Sequence, residues 1–232
     1  VLRLKALSVA GRTQRDSLKD VNLTVLGGEI VGVAGVSGNG QAALAGVLSG
    51  MITPESGKII LENQELTQIN PALMISKRVG RIPEDRHRDG IVGSMSVAEN
   101  MIIENINGPE FQKNGLLKRE SISKYAEALS KDYDVRGAGS AARAQLLSGG
   151  NIQKLILARV FDKKPVLILA NQPTRGLDMG AAADVAHRLI EARSRGAGVI
   201  LISEDLDEIL RLSDRILVIH DGSFTETQTH DR

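Results

Sequence analysis

The sequence predicts an α/β protein: a parallel sheet flanked by helices, an antiparallel layer ahead of it, and an inserted helical stretch. Three observations carry this. Short, largely apolar runs at Glu29–Ala34, Val166–Ala170 and Val199–Ser203 have the length and composition of strands buried on both faces. A helical stretch follows each of them, the alternation expected of a parallel sheet with crossover helices. Between residues 85 and 150, by contrast, helical patterns prevail and no clear strand is legible.

In chain order, Leu2–Val9 and Val21–Val25 alternate apolar with polar residues, as strands of a half-buried antiparallel layer do. The apolar run at Glu29–Ala34 passes at once into a glycine-rich turn, and Gln41–Leu48 reads as a helix ending near Gly50. Lys58–Leu61 reads as a strand, and Arg78–Ile82 leads into the charged loop Pro83–Gly90. Ser96 caps a helix from Val97, with Glu99 placed to complete a capping box. Ser121–Lys131 is a further helix, and Gly149–Phe161 another, opened by a glycine pair. After Val166–Ala170 come a helix at Ala181–Arg195, the strand Val199–Ser203, an acidic helix from Asp205 and a last strand at Ile216–Ile219. No internal repeat or low-complexity linker interrupts this order.

Composition bounds the function. With 232 residues, 42% apolar and 25% charged, the chain can bury a substantial core. A net charge of +1 and the lack of a basic arm speak against nucleic acid as a partner. There is no cysteine, so disulfides and thiolate metal sites are excluded, and no metal site is expected. No apolar run approaches the ~18 residues of a membrane span. The polar ending Thr225–Arg232 and the start at Val1 suggest a piece of a longer protein.

Two motifs carry chemistry. Gly35, Val36, Ser37, Gly38, Asn39, Gly40, Gln41 and Ala42 have the glycine spacing of G-x-x-x-x-G-K-[ST] between a strand and a helix. In such a loop backbone N–H groups converge on phosphate oxygens, a lysine adds charge and a hydroxyl holds magnesium. Here Gln41 is uncharged and Ala42 has no hydroxyl. Taken alone, the run is as consistent with a glycine-rich turn as with a nucleotide loop. The second motif is Leu147, Ser148, Gly149, Gly150 and Asn151, where a serine and two glycines open a helix. It reads either as a capped helix or as an anion site made of a hydroxyl and backbone N–H groups.

Leu-Ser-Gly-Gly before a helix, then an apolar strand, then Pro173-Thr174-Arg175-Gly176-Leu177-Asp178, resembles the ATP-binding cassette (ABC) family over almost the entire chain. The resemblance implies a P-loop NTPase-like ABC ATPase core with an antiparallel β layer and a helical subdomain. It divides one nucleotide-binding domain into core at 1–84, helical subdomain at 85–150 and core again at 151–232. The family pattern also expects an Asp-Glu pair before Pro-Thr, where Asn171 and Gln172 stand, and a histidine where Glu204 stands. The adenine-stacking aromatic expected in the first ~15 residues by the same resemblance is absent, since no aromatic precedes Phe111. The catalytic set is therefore expected to be absent at Gln41, Ala42, Asn171, Gln172 and Glu204. A single transition-state donor is worth about 10²–10³ in rate and a general base about 10²–10⁴, so hydrolysis at this site should be negligible.

The resemblance further implies a division of labour. Paired cassettes face head to tail, so Leu147–Asn151 would serve ATP, with Mg, held by a partner domain. Leu177 and Asp178 would lie in the loop crossing that interface, and Glu84 and Arg86 in the loop meeting a transmembrane subunit. The own loop, Gly35 and Ser37–Ala42, would bind nucleotide weakly at most, and no cofactor is certain for the domain alone. Pro83-Glu84-Asp85-Arg86 and Pro-Thr-Arg-Gly-Leu-Asp look like the second, degenerate domain of tandem importer ATPases, nucleoside or purine favoured over sugar. The implied partners are an N-terminal nucleotide-binding domain of the same chain, permease subunits and, indirectly, a solute-binding protein, with the chain peripheral on the cytoplasmic face of the membrane. Val97, Met101 and Ile102 either line a groove for the permease or pack in the domain's own core. Two alternatives stand: an active ATPase domain with unusual residues, or a soluble ABC protein outside transport.

Overall fold

The computed structural model describes residues 1–11, 16–137 and 139–226. In chain order the elements are β1 (Leu2–Val9), β2 (Leu18–Val25), β3 (Ile30–Ala34), α1 (Gln41–Leu48), β4 (Ser56–Leu61), β5 (Gln64–Glu65), α2 (Pro71–Ser76) and β6 (Val79–Ile82). They continue with α3 (Val97–Ile102), β7 (Gln112–Lys113), β8 (Leu116–Leu117), α4 (Arg119–Asp132), α5 (Gly149–Asp162), β9 (Leu167–Asn171), α6 (Met179–Ser194), β10 (Gly198–Ile202), α7 (Leu206–Leu212), β11 (Arg215–His220) and β12 (Ser223–Glu226). The residues divide into two compact units: Val1–Arg81, Lys164–Pro173 and Ala186–Arg232 in the first, Ile82–Lys163 and Thr174–Val185 in the second.

The first unit contains two sheets. A four-stranded sheet runs in the order β2-β1-β4-β5, with β1 antiparallel to both neighbours. β1 and β2 bury alternate residues, as strands with one face on the core do. The six-stranded sheet has the order β12-β11-β3-β10-β9-β6. In it β11, β3, β10 and β9 pair in parallel. All five residues of β3 and of β10 are buried, which is why their sequences are continuously apolar. Because these strands are parallel, their carboxyl ends share one edge, the place where open α/β sheets present ligand-binding loops.

The second unit is mainly helical, with α3, α4 and α5 packed on one another. Ser96 and Glu99 form the expected capping box on α3. Arg159 is buried within it and donates to the carbonyls of Gly90 at 2.7 Å and Asn100 at 3.3 Å, with Glu104 3.2 Å from its Nε. Val97, Met101 and Ile102 are buried at 3%, 1% and 1% exposure, so they pack in the unit's own core.

Four local expectations are corrected. The stretch 85–150 contains a short hairpin, β7–β8, closed by Asn114 and Gly115, both with positive φ. This is the Asn-Gly turn whose twist matches that of paired strands. β12 follows β11 through the same device at Asp221-Gly222. α2 is begun by Asn70, whose side chain accepts from Leu73 N–H, and by Pro71 at its first position. The charged loop after Pro83 winds into one π-helical turn, Arg86–Gly90, because Asp85 Oδ1 accepts from the N–H groups of His87 and Arg88. Those two donors hold the Asp85 carboxyl below its ordinary range, Arg88's being the larger influence. Residues 12–15, the last positions searched for an adenine-stacking aromatic, lie outside the described residues, as does the end of the chain from 227.

Candidate functional site

The glycine loop leaves the carboxyl end of β3 in the first unit. Gly35 has φ +155° and Gly40 φ +110°. A Cβ on Gly35 would sit 2.6 Å from the Ile219 carbonyl oxygen, and one on Gly40 2.9 Å from that of Ser17. No side chain fits at either place, so the fold alone demands glycine there.

Between them the loop bonds to itself. The Gln41 side chain folds back: its Oε1 accepts from Asn39 N–H at 2.9 Å, and its Nε2 donates to the carbonyls of Gly35 at 3.1 Å and Val36 at 3.0 Å. Asn39 adds a second stitch, Nδ2 donating to Val36 O at 2.7 Å and Oδ1 accepting from Asp221 N–H at 3.1 Å. Gly222 N–H donates to Asn39 O at 3.0 Å, tying the loop to the β11–β12 turn. A carboxamide both accepts and donates, so it can satisfy an N–H and two carbonyls at once. A phosphate only accepts. Ser37 and Ala42 are exposed, and Gly38 has φ +82°.

Asn171 and Gln172 stand at the carboxyl end of β9, and Glu204 just past that of β10. Gln172 has φ +50°, a conformation rare for a residue with a side chain. Its N–H donates to Ile202 O at 2.8 Å, and its Oε1 accepts from Glu204 N–H at 3.4 Å. Strand order places β3, β10 and β9 side by side, so Gln41, Glu204, Asn171 and Gln172 share one sheet edge although they are far apart in sequence. Among the described residues no group of His, Cys, Asp and Glu could hold a metal ion.

The second motif lies in the other unit. Ser148 is the N-cap of α5, and its Oγ accepts from Asn151 N–H at 3.5 Å and from Asn151 Nδ2 at 2.9 Å. Asn151 Oδ1 in turn accepts from Arg136 N–H at 2.7 Å. An open concavity of about 410 Å³ faces these groups, lined also by Gly150, Lys154 and Asp178. Asp134 sits at its rim, 2.8 Å from Arg136 and 2.7 Å from Lys154. The bonds from Arg136, then from Lys154, hold the Asp134 carboxyl down at about 2.

Here the glycines behave differently. A Cβ on Gly149 would meet nothing nearer than Arg86 Nη1 at 3.9 Å, and one on Gly150 nothing within 4 Å. Neither has a positive φ. The fold does not require glycine at these helix positions, where alanine would be the better helix former by up to about 1 kcal/mol.

Leu177 N–H closes a turn on Thr174 O, Gly176 having φ +65°, and Asp178 Oδ1 accepts from Ala181 N–H at 2.9 Å at the start of α6. Arg86 joins these loops within the unit. Its guanidinium donates to Gly149 O at 3.5 Å and to Arg175 O, and burial lowers its pKa. Glu84 pairs with Arg175 at 2.5 Å. Sequence reasoning placed Glu84 and Arg86 in a contact loop and missed this bracing. Nothing in the local pattern tells a solvated arginine from one that bridges two carbonyls distant in sequence. Leu147, ahead of Ser148, is buried at 8% exposure.

A cassette-like fold with a glycine loop at one sheet edge, and a Ser-Gly-Gly helix start in its helical unit, defines the class. The family model for ABC transporters matches residues 18–175, and the chain belongs to the ABC transporter family. It is 46% identical over 222 residues to the nucleoside import ATP-binding protein NupA of Lactococcus lactis subsp. cremoris, covering 96% of this chain and 44% of that protein. It is 43% identical to the glucose import ATP-binding protein TsgD13 of Haloferax volcanii, covering 100% of this chain and 42% of that one. The guanosine import ATP-binding protein NupO of Bacillus subtilis is 39% identical, with 96% and 44% covered. The chain thus spans less than half the length of these relatives. Among solved structures, a dimeric post-hydrolysis state of the cassette MJ0796 bound to ADP and Pi superposes with a TM-score of 0.82 over all of both chains, at 22% identity. That likeness bears on the fold, which is the P-loop ABC core with the antiparallel layer and helical subdomain that the sequence predicts. No helix among the described residues is long and apolar enough to cross a membrane.

Proposed function

We propose that this chain is one nucleotide-binding domain of a longer importer ATPase, in which its own glycine loop is catalytically silent and its Ser-Gly-Gly segment completes the ATP site of a partner domain. The contrast between the two glycine sets carries this reading. Gly35 and Gly40 have no room for a side chain, whereas Gly149 and Gly150 have room and lack one. At a helix start facing an open concavity, bare backbone lets an anionic ligand come close to the N–H groups and the positive end of the helix.

The own loop does not fit a magnesium-bound triphosphate. Asn39 N–H, a donor a phosphate would need, is taken by Gln41, and neither Gln41 nor Ala42 supplies a cation or a metal-binding hydroxyl. Asn171 and Gln172 cannot act as carboxylate bases, and Gln172 spends its oxygen on Glu204 N–H. The Ser148–Gly150 segment does fit a phosphate: one hydroxyl and unobstructed backbone at the start of a 14-residue helix. When bound there, a partner-held ATP would supply the reacting phosphoryl group, and this chain's residues would orient and stabilise it.

On this reading the core residues and the helical subdomain belong to a single cassette. Its partners are a second cassette within the same protein and a permease reached through the Glu84–Arg86 loop, with a solute-binding protein upstream. The names of the relatives favour nucleosides as cargo, with sugars next. The test is ATP hydrolysis by the isolated chain beside the full-length protein. Negligible turnover in the first and substantial turnover in the second are expected. Comparable turnover per cassette in both would overturn the proposal.

A further inference from the structure

We infer that Asn151 is a positioning residue that turns the Ser148 hydroxyl proton outward, toward the ligand of the α5 start. A serine hydroxyl has one proton to donate and two lone pairs with which to accept. Both lone pairs are engaged by one neighbour: Asn151 Nδ2 donates at 2.9 Å, and Asn151 N–H donates at 3.5 Å. The proton is left to point away from them, into the concavity lined by Ser148, Gly150 and Lys154.

The direction of the Asn151 amide is itself fixed. Its Oδ1 accepts from Arg136 N–H at 2.7 Å. Were the amide reversed, its NH₂ would face that N–H, donor against donor, and its oxygen would face Ser148 and draw the hydroxyl proton inward. Arg136 is held in turn by Asp134, which also receives Lys154 from the next turn of α5, through Nζ contacts of 2.7 Å to the carboxylate and 3.2 Å to the Asp134 carbonyl. A chain of four residues thus sets where one proton points. A serine cap without such a neighbour would share its proton among several rotamers.

This inference rests on the proposal that Ser148 serves a partner-bound ATP, and the experiment separates the two. ATP turnover of the full-length protein is measured for Ser148→Ala, Asn151→Asp and the double variant. Asn151→Asp keeps the shape but replaces the donor with an acceptor, which pulls the Ser148 proton inward. It should lower kcat about as far as Ser148→Ala does, roughly 10²-fold. KM for ATP should be little changed, because the lost donor acts on the transition state. The double variant should be no slower than either single one, as expected when one residue acts only through another. Asn151→Ala, which leaves the hydroxyl free to rotate, should fall between wild type and Ser148→Ala. If Ser148→Ala leaves turnover intact, the reading of the segment is wrong and the inference falls with it. If Ser148→Ala slows turnover but Asn151→Asp does not, changes only KM, or adds its full effect in the double variant, the segment is functional and the positioning role of Asn151 is refuted.

Discussion

The two helix starts that matter most in this molecule use their polar groups in opposite ways. At α1 a carboxamide folds back and satisfies the loop from within, and the glycines are those the backbone cannot do without. At α5 a carboxamide donates to the hydroxyl of the capping serine, and the glycines occupy places where a side chain would fit. Both loops are glycine-rich and both open a helix, so spacing alone does not separate them. What separates them is whether the local structure already accounts for the glycines and the donors. Where it does, no ligand is needed to explain the sequence. Where it does not, a ligand is the simplest remaining reason.

This comparison can be broken by exchanging side chains at equivalent positions. Gly40→Ala forces a left-handed residue onto the Ser17 carbonyl and should lower unfolding stability by about 2–3 kcal/mol in chemical denaturation. Gly150→Ala should instead leave stability unchanged or raise it by up to about 1 kcal/mol, as alanine for glycine in a helix does. Equal losses at both positions would remove the distinction. A smaller effect is expected at Gln41→Ala, which strips the glycine loop of its internal acceptor and donor. The expected loss is about 1–2 kcal/mol, with faster hydrogen exchange at Asn39 N–H. Unchanged exchange there would show that the amide does not hold the loop.

The smallest effect concerns the rim of the α5 concavity. Asp134 titrates near 2 in the folded chain against an ordinary 3.8, because Arg136 and then Lys154 favour its charged form. A depressed carboxyl contributes stability that is complete above about pH 4 and is lost as pH falls through 2. Asp134→Asn should therefore flatten the stability profile in that window, lowering stability slightly above about pH 4, neutral pH included, and leaving it unchanged below about pH 2. A profile identical to wild type would show that the pairings are not formed in solution.

How much of this was legible in the sequence follows from where the determinants lie. β3, β9 and β10 were readable because strands buried on both faces must be apolar throughout. The family was readable because its motifs are contiguous and ordered. The hairpins at Asn114-Gly115 and Asp221-Gly222 carried the right turn residues, but β7, β8 and β12 are only two to four residues long, too short for an alternation to register. Asn70-Pro71 carries the start signal of α2 equally well, but the helix is only six residues long. The contacts of Arg86, of Asn151 with Arg136, and of Asn39 with Asp221 were not legible at all. Each joins segments separated by 15 to 182 positions through a backbone group, and backbone groups leave no trace in the sequence.

The most direct test places a negative charge at each of the two helix starts in turn and follows ATP turnover of the full-length protein. Ala42 is exposed at the start of α1 and Gly150 has open space at the start of α5, so glutamate at the first and aspartate at the second should both fold well. Ala42→Glu is predicted to leave turnover within about twofold of wild type, and Gly150→Asp to lower it by about 10²-fold or more. The opposite ranking, with Ala42→Glu abolishing turnover and Gly150→Asp sparing it, would contradict the account.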